Sequence, residues 1–157
     1  MSSTTREFKY IHPCTLEAAY EVASNLRPED LAECVEGHGI QPTIDLPLAT
    51  LRSFCVYFTA PDGRIAGMGG IEEDGTIWML CTPVIDDYPI SFARFTRKFI
   101  NSREDKILHN VVDKRNKTHI RLLKFLGFKF IREVPFGPNQ LPFIEFYKCA
   151  HRQQQSL

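Results

Sequence analysis

The sequence predicts an α/β fold: a mixed, mainly antiparallel sheet with helices on both faces. Three observations predict it. Residues 55–81 hold three β-rich runs separated by two turn signals, the pattern of an antiparallel meander. Asn116–Glu133 reads as a helix, a sharp stop and a strand. Around these two, helical and strand runs alternate, which implies helices crossing over a sheet.

In chain order, Phe8–Ile11 is a short strand ended by Pro13. Thr15 caps a helix to about Asn25, with Leu16, Ala19, Tyr20 and Ala23 on its inner face. Pro28 opens another, with Glu29 and Asp30 in the first turn, where the helix dipole favours acids. Its buried face is Leu31, Cys34 and Val35, and Gly37 or Gly39 stops it. Asp45 and Pro47 start a third short helix, through about Arg52. The meander strands follow as Cys55–Thr59, Arg64–Ile71 and Thr76–Cys81, with Pro61-Asp62-Gly63 turning between the first two.

After Thr82–Pro89 comes a helix from about Ile90 to Asn101, with Phe92, Phe95 and Phe99 on its core face. Ile107–Val112 is a strand. Asn116 or Thr118 caps the next helix, whose inner face is Ile120, Leu123 and Leu126. Gly127 ends it in a left-handed conformation that glycine adopts cheaply. Phe128, Phe130 and Val134 lie on the following strand, Pro135–Pro142 is a loop, and Phe143–Cys149 is the last strand. The length suits one domain over residues 1–157, with loose ends at Met1–Thr5 and His151–Leu157.

Composition narrows the function. Formal net charge is zero, so no global field draws in nucleic acid or an anionic membrane. The charge is uneven: residues 1–50 carry eight acids and three bases, the remainder eleven acids and sixteen bases. The two halves suit docking on each other or on a partner. No run approaches a membrane span, and the start lacks the apolar segment of a signal peptide. The five cysteines form no Cys-x-x-Cys and read as reduced thiols. No His/Cys/Asp/Glu group has metal-ligand spacing.

Gly67-x-Gly69-Gly70 lies inside a strand and reads as a bulge or close backbone packing rather than a nucleotide loop. Glu33 and His38 read as a solvated acidic helix and its loop, with a base for an amine substrate as the alternative. His119 reads as a polar helix-face residue; the alternative is a remnant site facing a split in the sheet. Seven bases between Lys114 and Arg132, with no acid among them until Glu133, read as a solvated face or a docking surface. Within them Lys117, Arg121 and Lys124 form one stripe for an acidic partner.

Asn116, Leu122, Leu126, Gly127 and Phe128, with the element order, resemble the acyl-CoA N-acyltransferase (GNAT) fold. That family usually carries a Gly-rich loop for the CoA pyrophosphate between its fourth strand and the next helix. Here Cys81–Pro89 has no glycine and no base; Pro83 and Pro89 each remove an N–H, and Asp86 and Asp87 repel phosphate. The family often places a Tyr general acid where this chain has Leu123. Three blocks, MLCTPVI, DKRNKTHIRLLKFLGFKF and PFGPNQLPF, resemble a GNAT-like family of short-tailed phages that includes small internal virion proteins.

That similarity covers roughly residues 28–147. It implies a role in virion assembly or infectivity through protein contacts and establishes no enzymatic activity; the two departures from the family pattern point to a catalytically degenerate fold, with no catalytic residue and no cofactor. The implied partners are phage structural or ejection proteins, or a host protein, met in the virion or the infected host cytoplasm. The alternative it leaves is an acyltransferase using acetyl-CoA through a variant loop, with Asn116 and the backbones of Leu80 and Thr82 as contacts.

Overall fold

The computed structural model describes residues 8–105 and 107–149. The loose ends expected at Met1–Thr5 and His151–Leu157 lie outside them. The elements run β1 (Ile11–Pro13), α1 (Leu16–Ser24), α2 (Pro28–Ala32), α3 (Pro42–Arg52), β2 (Phe54–Thr59), β3 (Ile65–Ile71), β4 (Ile77–Cys81), α4 (Pro89–Ser102), β5 (Ile107–Asp113), α5 (Lys117–Phe125), β6 (Lys129–Phe136) and β7 (Leu141–Cys149). A π-helical turn, Glu33–His38, extends α2 to Gly39, and a 3-10 turn, Pro83–Asp86, precedes α4. No helix among the described residues is long and apolar enough to cross a membrane.

The strands form two sheets, ordered β1-β2-β3-β4 and β5-β7-β6, each antiparallel throughout. They meet at one parallel bridge, Thr76 to His109. Just beyond it Asn110 Nδ2 donates to Ile77 O over 2.7 Å. No other pairing joins β4 to β5 among the described residues, so a gap opens between them.

Alternation along the strands sends Cys55, Met68 and Leu80 to one face, against α1 and α3, and Val56 and Phe58 to the other, against Phe92 of α4; the register shift beside Gly67 brings Ala66 to that second face. The glycines of β3 follow from close packing in the ladder. A Cβ on Gly67 would lie 2.6 Å from Leu80 O, and one on Gly69 2.8 Å from Trp78 O. A bulge between β2 and β3 falls beside Gly67.

Local signals place the caps as expected. Thr15 Oγ1 accepts from Ala18 N, Asn116 Oδ1 accepts from His119 N, and Gly127 takes φ 91°. Five expectations change. β1 is Ile11–Pro13, after a turn at residues 8–10, rather than Phe8–Ile11, and α3 starts at Pro42 rather than at Asp45. On α1 the buried face is Ala18, Ala19, Val22 and Ala23, while Leu16 and Tyr20 point outward; the small residues let α1 sit close to α3 and the sheet. On α2, Cys34 is buried as expected, but Leu31 and Val35 are exposed, and Asp30 and Glu33 are buried in their place. The expected Pro135–Pro142 loop is a tight turn at residues 137–140, because β6 runs through Phe136 and β7 starts at Leu141.

Candidate functional site

The gap between β4 and β5 holds the chemistry. In an antiparallel pair the backbone groups of alternate residues face the partner strand. Thr82 N donates to Ala66 O and Glu72 N to Thr76 O, which fixes the phase. Leu80 and Thr82 therefore direct their backbone groups at β3, and the Thr82 hydroxyl donates to Ile65 O. This corrects their expected orientation toward a cofactor. The groups facing the gap belong to Ile77, Met79 and Cys81.

At the wide end α2 fills the gap. Cys81 N donates to Asp30 Oδ2 over 2.8 Å, and Cys81 O accepts from Arg27 N over 2.9 Å. The Arg27 guanidinium lies 3.7 Å from Asp30 Oδ1. Asn116 Nδ2 donates to Asp30 Oδ1 (2.7 Å) and to Glu33 Oε1 (3.2 Å), and Asp113 N donates to the same Glu33 oxygen. Arg27, Asp30, Glu33, Asp113 and Asn116 are all buried. One polar cluster thus ties β4, α2, β5 and the N-terminus of α5 together. Asn116, expected as a cofactor contact, spends its Nδ2 within the cluster and its Oδ1 on the α5 cap, accepting from His119 N.

Beneath the cluster a cavity of about 450 Å³ passes between the sheets. Its walls include Val56, Leu80, Phe99, Leu123 and Phe146, and Glu33 and His119 are among its few polar residues. Burial pushes the Glu33 carboxyl up to about 7; the Asn116 hydrogen bond works the other way, and the Asp30 charge adds to the rise. Burial lowers His119, partly opposed by Asp30. Burial likewise lowers His38, whose ring meets Phe136 edge-on at 4.9 Å. Asp113 is held low despite its burial, because Arg115 donates to it through backbone and side chain.

Glu33 is therefore not part of a solvated acidic face, and His119 lines the split as its alternative reading held. Sequence reasoning missed Arg27 and Asp30. The available signal was their spacing with Glu33 at intervals of three, one face of a helix. Cys34 and Cys81 are also buried here; burial and the nearby acids raise Cys34 to about 12. All five cysteines are unpaired, and no metal-binding group occurs among the described residues.

The proposed stripe is exposed: Lys117, Arg121 and Lys124 all face outward, with Arg121 Nη2 near Thr118 Oγ1 at 3.3 Å. Other bases of that run do have acid partners: Lys114 with Glu133, Arg115 with Glu36 and Asp113, and Arg132 with Glu145.

Two packed sheets splayed between a fourth and a fifth strand, with helices on both faces, match known structures over nearly their whole length. The fold is that of the GNAT acetyltransferases. An aminoglycoside acetyltransferase, AAC(6')-Ib, in complex with coenzyme A is 15% identical, with a TM-score of 0.63, over 94% of this chain and 98% of that one. The ribosomal-protein-S5-alanine acetyltransferase of Vibrio fischeri is 13% identical, with a TM-score of 0.62, over 90% and 92%. A GNAT-family acetyltransferase of Streptococcus pneumoniae is 12% identical, with a TM-score of 0.60, over 89% and 98%. No protein-family model and no curated protein sequence matches the chain.

Proposed function

We propose that this chain is a catalytically degenerate GNAT-fold domain that acts through protein contacts in a short-tailed phage, during assembly, genome ejection or host takeover. The observation that carries the loss of catalysis is the filled gap. The N–H and C=O at the end of β4 already serve Asp30 and Arg27. A CoA arm laid along β4 would have to displace a buried ion pair with its hydrogen bonds, a change that costs several kcal/mol (on the order of 3–5).

The loop beyond agrees. Thr82–Asp87 closes into a 3-10 turn, and Asp87 pairs with Arg64 at 2.9 Å. The residues present do not fit a pyrophosphate. Leu123, at the family's Tyr position, is buried against the cavity and has no proton to give. The phage context rests on the three sequence blocks. Within it the partners are structural or ejection proteins or a host protein, in the virion or the infected cytoplasm, and the Lys117, Arg121 and Lys124 stripe is the docking surface.

Isothermal calorimetry with acetyl-CoA tests the first part. The expected result is no saturable heat; micromolar binding would overturn this reading. One observation favours the alternative, an acyl-CoA-dependent N-acyltransferase: Glu33 lines the cavity with a carboxyl near neutrality, fit to take a proton from an amine. Its contacts could not be the Leu80 and Thr82 backbones, and Met79 would take their place.

A further inference from the structure

The α1–α3 surface is unlike the rest of the molecule. Leu16 and Tyr20 stand on the outer side of α1 at 52% and 58% exposure. Ile44, Leu48 and Leu51, spaced by four and three, form an exposed stripe on α3. The inner faces of the two helices share one core, through Ala19, Val22 and Leu46, and the helices pack on each other. Exposed apolar stripes on two packed helices exceed what scattered surface residues explain.

The exposed charges on α1 are acidic, and on α3 Arg52 follows Leu51 at the C-terminal end. Glu17 and Glu21 are exposed beside Leu16 and Tyr20, and neither has an ion-pair partner among the described residues. From Ile11 to Leu51 the one base is Arg27, and it is buried. Arg52, next to Leu51 at the end of α3, is the one exposed cation on these two helices. Acids on this face oppose an anionic membrane and nucleic acid, and favour a cationic protein segment.

We propose that the α1–α3 surface docks a basic amphipathic helix of another protein. The partner's apolar stripe would lie against Leu16, Tyr20, Ile44, Leu48 and Leu51, and its flanking Lys or Arg would meet Glu17 and Glu21. At 1.5 Å per residue, α1 and α3 offer about 13–16 Å of length, enough for two to three turns of a docked helix. This surface is separate from the Lys117, Arg121 and Lys124 stripe, which suits an acidic partner, and it does not depend on the absence of catalysis.

The probe is a fluorescent Leu/Lys peptide of roughly 18 residues, about five helical turns, with an isomer of the same composition scrambled to remove the apolar face. Anisotropy titrations against the full chain should show saturable binding of the first and much weaker binding of the second. Leu48→Asp with Leu51→Asp, and separately Glu17→Lys with Glu21→Lys, should each weaken binding about tenfold. These sites are exposed, so circular dichroism should be unchanged; Leu48→Ser with Leu51→Ser serves if the Asp pair misfolds. Reversing Lys117, Arg121 and Lys124 should leave peptide affinity unaltered.

Absence of binding, equal binding of the scrambled isomer, or full affinity in the Leu48 and Leu51 variants would each overturn the proposal. Concentration-dependent dimers in sedimentation that the Leu48 and Leu51 changes abolish would assign the face to a second copy instead. Adsorption to anionic phosphatidylserine vesicles that the same changes abolish would assign it to lipid.

Discussion

Glu33→Gln tests the polar cluster through its pH dependence. Glu33 is 7% exposed, and its carboxyl is raised from 4.5 to about 7 in the fold. Between those values the folded protein holds a proton that the unfolded chain has released. Stability therefore falls as pH rises through this window, and the loss is complete above about 7. The step from 4.5 to about 7, at 1.36 kcal/mol per pH unit, is about 3 kcal/mol.

Gln keeps a carbonyl oxygen for the Asp113 and Asn116 N–H groups and has no charge to bury. At pH 5 the two proteins should have nearly equal urea midpoints. At pH 8.5 Glu33→Gln should be the more stable by up to about 3 kcal/mol, or about 2–4 °C in Tm for each kcal/mol in a chain of this size. The lowered His38 and His119 act oppositely, since their contribution is lost as pH falls, but they are common to both proteins and cancel in the difference. Parallel midpoints from pH 5 to 8.5 would show that Glu33 does not titrate in this window.

Three further outcomes are expected. Asn116→Ala removes a donor from both Asp30 and Glu33 and the cap of α5, and should cost about 2–4 kcal/mol in chemical denaturation; a loss under about 0.5 kcal/mol would mean that the cluster rearranges without it. Gly127→Val forces a β-branched residue to φ 91° and should cost more than about 1 kcal/mol, read from the urea midpoint. Lys117→Glu with Arg121→Glu and Lys124→Glu should leave Tm within a few degrees, because exposed charges contribute little to folding. The same protein should lose its co-purifying partners or reduce phage infectivity, and unchanged infectivity with unchanged partners would remove the stripe as a docking surface.

What was legible in the sequence was local. The α5 cap at Asn116, its stop at Gly127 and the turns of the meander depend on residues within a few positions of each other. The burial of Asp30 is decided by Cys81 and Asn116, 51 and 86 residues further along the chain. A periodic reading sends acids to solvent and Leu31 and Val35 inward, and it has no means to anticipate a π-helical turn. The same limit explains Leu80 and Thr82: side-chain alternation is visible in a strand, whereas the edge its N–H groups face depends on the partner strand.

In the proposed reading the filled gap and the loop at residues 81–89 act independently toward one consequence. The loop loses the donors an anion needs: it has no glycine, and prolines stand at both ends of Pro83–Pro89. In the gap the Cys81 backbone is already taken by Asp30 and Arg27, at the start of α2 and far from the loop in sequence. Either alone could be met by a variant binding mode. Together they place Asp30, Asp86 and Asp87 at or beside the end of β4, with Arg27 already paired to Asp30 and Arg64 to Asp87. On the proposed reading, affinity for a phosphate-bearing cofactor would therefore take changes in both elements. A glycine-bearing basic loop grafted at residues 82–87 should fail to confer acetyl-CoA binding while Asp30 holds Cys81 N. The graft combined with Asp30→Ala should do better than either change alone. Calorimetric binding by the graft alone would show that the gap was never the obstacle.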